Sequence, residues 1–78
     1  MRFSSRTARV RYIEHVLTTQ PFQHTIGDLA GLTEVAWVTA WRDVQLLETE
    51  CPRLALVADA QHRLGLVERD DETGYEGE

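Results

Sequence analysis

Few residues in this 78-residue chain have the type and spacing that catalysis or metal binding requires. His15, His24 and His62 fall in three separate segments, and the single Cys51 has no partner for a disulfide bond. No glycine-rich phosphate loop and no nucleophile motif occurs in the sequence. We therefore expect no catalytic site, no metal site and no cofactor, and we predict that the chain is not an enzyme.

The charges divide the chain into a neutral body and an acidic tail. All eight basic residues are arginines, and the formal net charge is −5. Residues 1–67 contain seven arginines and seven acids, whereas residues 68–78 contain six acids and one arginine. We predict one folded domain over residues 1–69 and a disordered acidic tail over residues 70–78. A neutral body disfavours DNA binding unless its arginines cluster.

The sequence also gives an expectation for the compartment. No apolar run approaches the roughly 20 residues that a membrane span needs. The arginines near Met1 are not followed by the apolar core of a signal peptide, and a lone cysteine does not indicate an oxidising compartment. We expect a cytoplasmic protein without a membrane partner.

A first helix is predicted near the start of the chain. Ser4 or Ser5 can cap it, and it should run to about Thr19, because Pro21 disfavours helix at the residue before it. Its predicted buried stripe consists of Val10, Ile13, Val16 and Leu17. The other sides carry Arg6, Arg9 and Arg11, which form either a solvated face or, with Arg2, a cluster of phosphate contacts.

Two further helices are predicted between residues 25 and 47. Thr25 and Asp28 have the spacing of a capping box at the start of the second helix. Residues 31–33 (Gly-Leu-Thr) are expected to end that helix, and Thr33 is expected to cap the third. Two helices joined this tightly have the helix-turn-helix shape.

Residues 53–69 allow two interpretations. Apolar residues alternate at 54–58 and again at 64–67, which predicts a β-hairpin with its turn at residues 60–62. The same stretch also fits a helix that begins with Pro52 at its first position and stops at Gly65.

The residues of the second and third helices carry a family resemblance. Thr-Ile-x-Asp-Leu-Ala begins at Thr25, and it is followed by Leu32-Thr33, Val35, Thr39-Ala40, Val44 and Leu47. This pattern, over residues 25–47, resembles the helix-turn-helix of bacterial winged-helix transcription regulators. The resemblance implies a mainly α winged helix-turn-helix, with three helices and a two-stranded wing, and it favours the hairpin interpretation.

A second resemblance gives a competing assignment. Residues 64–74 resemble the end of the recognition helix and the wing of multiple-antibiotic-resistance-type regulators. Residues 52–64 would then be the recognition helix, which places Gln61 at an apolar position and leaves residues 25–47 without a role. We rank this assignment second.

The winged-helix resemblance also assigns roles to the third helix. Periodicity alone would bury Trp37, because it lies beside a face that contains Ala36 and Ala40. The resemblance instead implies that the buried residues are Val35, Ala40, Val44 and Leu47. It implies that five other residues face the major groove: Trp37, Val38, Trp41, Arg42 and Gln45. Of these five, only Arg42 and Gln45 are well suited to base edges. Phosphates would be held by Arg6, Arg9, Arg53 and Arg63.

Two functions fit these observations. The first is a dimeric DNA-binding transcriptional regulator with double-stranded DNA as its partner. The second is a winged-helix protein-interaction or dimerisation module that uses Trp37, Val38 and Trp41, because exposed tryptophans and apolar patches are typical of protein interfaces. In either case the acidic tail could cover arginines electrostatically and regulate binding.

Overall fold

Three helices followed by an antiparallel hairpin make up the chain in a computed structural model, which describes residues 3–68. The elements are α1 (Arg6–Thr19), α2 (Ile26–Thr33), α3 (Trp37–Glu50), β1 (Leu54–Ala58) and β2 (Leu64–Glu68). This topology is winged-helix-like, as predicted. No helix among the described residues is long and apolar enough to cross a membrane. The predicted tail over 70–78 lies outside the described residues.

The boundaries and buried stripe of α1 confirm the prediction from sequence. Ser5 is the N-cap, and its hydroxyl accepts a hydrogen bond from the Ala8 N–H at 3.1 Å. The helix ends at Thr19, and the N–H of Gln20 donates to the Val16 carbonyl at 2.8 Å. Its buried residues are Val10, Ile13, Val16 and Leu17.

The predicted capping box starts α2, but the predicted end of this helix is wrong. The Asp28 N–H donates to the Thr25 hydroxyl at 3.2 Å, and the Thr25 N–H donates to the Asp28 carboxylate at 3.0 Å. Thr33 does not cap α3. It is the last residue of α2, where it is buried and its hydroxyl donates to the Leu29 carbonyl at 2.7 Å.

The turn between α2 and α3 begins at Glu34, three residues later than predicted. Glu34 adopts the left-handed conformation, with φ of 58°, and this conformation ends α2. The Val35 N–H then donates to the Ala30 carbonyl at 3.1 Å. Because α2 includes residues 31–33, α3 starts at Trp37 with Ala36 as its N-cap, so Ala36 is not part of the buried face.

The hairpin interpretation of residues 53–69 is confirmed, and both helical alternatives for this stretch are wrong. β1 and β2 pair from Leu54↔Glu68 to Ala58↔Leu64. The Asp59 N–H donates to the Arg63 carbonyl at 2.9 Å, and the His62 N–H donates to the Asp59 carbonyl at 3.0 Å. With His62 left-handed at φ 64°, this is a three-residue hairpin connection. We call the β1–β2 hairpin the wing.

The connection between α1 and α2 fixes the wing to the helices. The Phe22 N–H donates to the Leu64 carbonyl at 2.9 Å, and the Leu64 N–H donates to the His24 carbonyl at 2.8 Å. This short segment therefore pairs with β2 on the side opposite β1. The Phe22 ring packs over Gly65, where a Cβ atom would lie only 3.1 Å from it.

A buried ion pair joins α1 to α3. The guanidinium of Arg9 makes two hydrogen bonds to the fully buried carboxylate of Asp43, one from Nε to Oδ2 and one from Nη2 to Oδ1 at 3.1 Å. Nε of Arg6 lies 3.5 Å from Asp43 Oδ1. Arg9 therefore does not lie on a solvated face. The hydrogen bond to Asp43, reinforced by its charge, raises the pKa of Arg9 against the opposing effect of burial.

We expect Arg9→Met to lower the free energy of unfolding by about 3 kcal/mol, because it leaves the Asp43 carboxylate buried beside only the more distant Arg6. The melting temperature should fall by more than about 10 °C in a domain of this size. Arg11→Met is the matched control. The Arg11 guanidinium is exposed and pairs with Glu14 at 3.2 Å. Its removal should therefore lower the free energy of unfolding by less than about 1 kcal/mol. Equal losses in the two variants would contradict the structural role of the Arg9–Asp43 pair.

Candidate nucleic-acid interface

One surface of α3 is exposed over the first half of the helix. We call this surface the α3 face, and it consists of Trp37, Val38, Trp41, Arg42 and Gln45. The exposed fractions of Trp37, Val38 and Trp41 are 56%, 47% and 37%, and Arg42 and Gln45 are exposed as well. The outward placement implied by the resemblance is therefore correct, and Trp37 is not a core residue.

The two tryptophans border a groove between α3 and the wing. Their rings are stacked, with centroids 6.1 Å apart and planes inclined by 21°. The groove has a volume of about 500 Å³. Its lining residues come from the start of α2, the α3 face and the end of the wing near the turn, and they include Ile26, Trp37, Trp41, Ala58, His62 and Leu64. We call it the α3–wing groove.

The electrostatic character of the α3 face comes from one cation. Asp43 is the single acid between residues 37 and 45, and it is buried on the opposite side of the helix. Within residues 3–68, Arg42 forms no ion pair. Ala36 provides no side-chain cap and the first turn of α3 contains no acid, so the positive end of the helix dipole is not offset there.

The turn of the wing is organised by Asp59. Its Oδ1 accepts the backbone N–H groups of Gln61 at 2.9 Å and Arg63 at 2.8 Å, and its Oδ2 accepts Nε of Arg63 at 2.9 Å. The Arg63 guanidinium also donates to the Gln61 side chain. Desolvation raises the pKa of Asp59, but these bonds and the Arg63 charge outweigh it, so this pKa lies below its usual value.

We expect the wing turn to loosen when Asp59 is protonated. Because its pKa is lowered in the folded state, the carboxylate stabilises the fold above the unfolded pKa of about 4. That contribution is lost as the pH falls through the lower folded value. The amide signals of Gln61 and Arg63 should therefore shift over this acidic range in NMR spectra. In Asp59→Asn the same shifts should be absent; if they persist, another group controls the turn.

The other arginines lie away from the α3 face or are already paired. Arg9 is held by Asp43, and Arg6 is more than half exposed beside it on α1. Arg53 precedes β1 at the end of the wing far from the turn, where it borders a pocket with Glu50 and Glu68. Arg63 lies at the turn itself. The predicted phosphate contacts therefore do not form one cluster.

The described residues contain no group of three or more histidines, cysteines or acids that could hold a metal ion. Cys51 follows α3, and its Sγ lies 3.9 Å from a carboxylate oxygen of Glu14. Burial, followed by the charge of Glu14, raises the pKa of the Cys51 thiol. A thiol with a raised pKa is a poor nucleophile at neutral pH.

The chain matches no family model, no curated protein and no solved structure. The arrangement of its own residues therefore has to support any functional argument. The most important residue that the sequence interpretation missed is Asp43. A signal for it was present, because Asp43 is three residues after Ala40 and four before Leu47, within the buried stripe of α3.

Proposed function

We propose that this protein binds double-stranded DNA as a winged-helix transcriptional regulator. The observation that carries the proposal is the convergence of three elements on one surface: the start of α2, the α3 face and the turn end of the wing all border the α3–wing groove. A winged helix approaches DNA with its recognition helix in the major groove and with flanking elements on the backbone. The winged-helix resemblance of residues 25–47 is consistent with this role for α3.

In this arrangement the α3 face enters the major groove. Arg42 and Gln45 have the hydrogen-bonding groups that distinguish guanine and adenine. Val38, Trp37 and Trp41 provide apolar contacts of the kind that thymine methyl groups accept. Arg63 at the wing turn and Arg6 on α1 are the phosphate contacts, whereas Arg9 positions α3 through Asp43. Two copies of the chain on a palindromic site would give the dimeric complex expected from sequence.

The small number of available cations makes a specific prediction about salt. Affinity for B-DNA falls with salt by a slope of about −0.9 per neutralised phosphate. With Arg63 and Arg6 as the phosphate contacts, the slope should be about −2. The complex should therefore be weaker, and less sensitive to salt, than complexes of basic DNA-binding domains.

We expect Arg42→Gln to weaken binding to a duplex selected from a random pool by about 1–3 kcal/mol, which is about 5- to 150-fold in Kd. Fluorescence anisotropy at low salt measures this loss. The matched control is Arg53→Gln, because Arg53 is also exposed and without an ion pair in the described part of the chain, but lies far from the wing turn. Equal effects of the two substitutions would mean that the α3 face does not contact bases.

A second function is favoured by the stacked tryptophans. Two large exposed indoles beside Val38 form an apolar surface, whereas Arg6, Arg9, Arg11 and Arg63 are all in ion pairs. Protein interfaces are enriched in tryptophan, and protein–DNA interfaces are strongly positive. The alternative proposal is therefore that the α3 face binds a protein, and its simplest form is a homodimer through Trp37, Val38 and Trp41.

The homodimer alternative predicts concentration-dependent association. Sedimentation equilibrium should show a dimer at high concentration, and Trp41→Gln should return it to the monomer because the apolar contact is lost. Val67→Gln is the matched control, since Val67 is similarly exposed but lies on β2. A protein that stays monomeric throughout, or that responds equally to both substitutions, would contradict this form of the alternative.

A further inference from the structure

The acidic segment that follows β2 is the strongest chemical feature that the proposed function does not use. Residues 69–78 have the sequence Arg-Asp-Asp-Glu-Thr-Gly-Tyr-Glu-Gly-Glu. We propose that this segment docks into the α3–wing groove of its own chain, with Tyr75 against the two tryptophans and its carboxylates beside Arg42. The groove then has an internal occupant with the charge of a nucleic acid backbone.

The length of the chain permits this contact. β2 runs from Leu64 at the groove to Glu68, so the end of the strand is about 13 Å from the groove at about 3.3 Å per residue. Tyr75 is seven residue steps beyond Glu68, and an extended segment of that length spans up to about 25 Å. Tyr75 can therefore fold back along the wing and reach Trp41 without stretching the chain fully.

The chemistry of the groove and of the adjoining α3 face matches the segment at two points. Trp37 and Trp41 present exposed rings, and aromatic pairs gain energy beyond the area that they bury. Tyr75 is the single aromatic residue of the segment. The acids before and after Tyr75 would meet Arg42, which forms no ion pair within residues 3–68, and the first turn of α3, which contains no acid.

Attachment to the same chain favours this occupant over a second molecule. A short connection within one chain gives an effective concentration in the millimolar range, so a weak contact is sufficient. The regulatory consequence rests on the proposed DNA binding: carboxylates and phosphates would compete for the same cation and the same helix end. The docking itself does not depend on DNA, and the two ideas can be tested separately.

The decisive experiment measures docking in the full chain without DNA. A spin label is attached to Thr73→Cys in a Cys51→Ser background, and the indole N–H signals of Trp37 and Trp41 are recorded by NMR. We expect both signals to lose most of their intensity, because the label is two residues from Tyr75. The broadening should decrease in the added variant Tyr75→Ser and at high salt. Indole signals that keep their full intensity would overturn the proposal.

A mixing control separates the same chain from a second copy. ¹⁵N protein without a spin label is combined with ¹⁴N protein that carries the spin label, so that only contacts between molecules broaden the observed signals. Indole signals that are unaffected in the mixture support docking within one chain. Broadening in the mixture equal to that in the labelled protein would mean that the segment binds another molecule, and it would overturn the proposal.

The effect on DNA is measured separately with the variant Asp70→Asn, Asp71→Asn, Glu72→Gln. Removal of these charges should tighten DNA binding about twofold at low salt, the factor that a millimolar effective concentration gives against a millimolar intrinsic affinity. Broadened indoles in a protein that binds no DNA would support docking and reject the DNA-binding function. Full DNA binding with sharp indoles would reject docking alone.

Discussion

The Arg9–Asp43 ion pair is the constraint that determines which side of α3 faces solvent. A buried carboxylate carries a large desolvation cost, so Asp43 must face α1, where Arg9 binds it at two atoms. Trp41 and Gln45 are each two residues from Asp43, which places them about 160° away around the helix axis. The ion pair therefore fixes the rotation of α3 about its axis so that both side chains face solvent. Apolar contacts alone are not directional and would tolerate small rotations of the helix.

The wing, together with the connection between α1 and α2 that it is bonded to, forms the opposite side of the α3–wing groove. The backbone bonds of Phe22 and His24 to Leu64 tie the hairpin to the α1–α2 connection, and Phe22 packs on Gly65. Asp59 sets the turn through two backbone N–H groups. The result is a groove with few charges and two large indoles. This composition is compatible with either proposed partner, DNA or a protein, and it gives a single cation on the adjoining α3 face, Arg42, a large influence.

Local signals in the sequence were sufficient for most elements, whereas residues that depend on distant partners were not predictable. The capping box at Thr25 and the three-residue wing turn are encoded by neighbouring residues, and both were foreseen. Thr33 was misassigned because its hydroxyl is satisfied by a carbonyl one turn earlier inside α2. The burial of Asp43 follows from its place in the α3 stripe, but its ion pair with Arg9, 34 residues away, has no local signal in the sequence. The burial of Trp37 that periodicity alone predicts is wrong, since α3 begins at Trp37 itself, three residues later than a cap at Thr33 implied.

The most direct test of the central claim is an amide NMR titration of the full chain with duplex DNA at low salt. We expect shifts in the first half of α3, from Trp37 to Gln45, and in the wing turn at residues 58–63, and these shifts should fade as salt is added. The far end of the wing at residues 51–54 should not respond. Shifts at that far end with none in α3, or no shifts at any DNA concentration, would contradict the claim that this surface binds DNA.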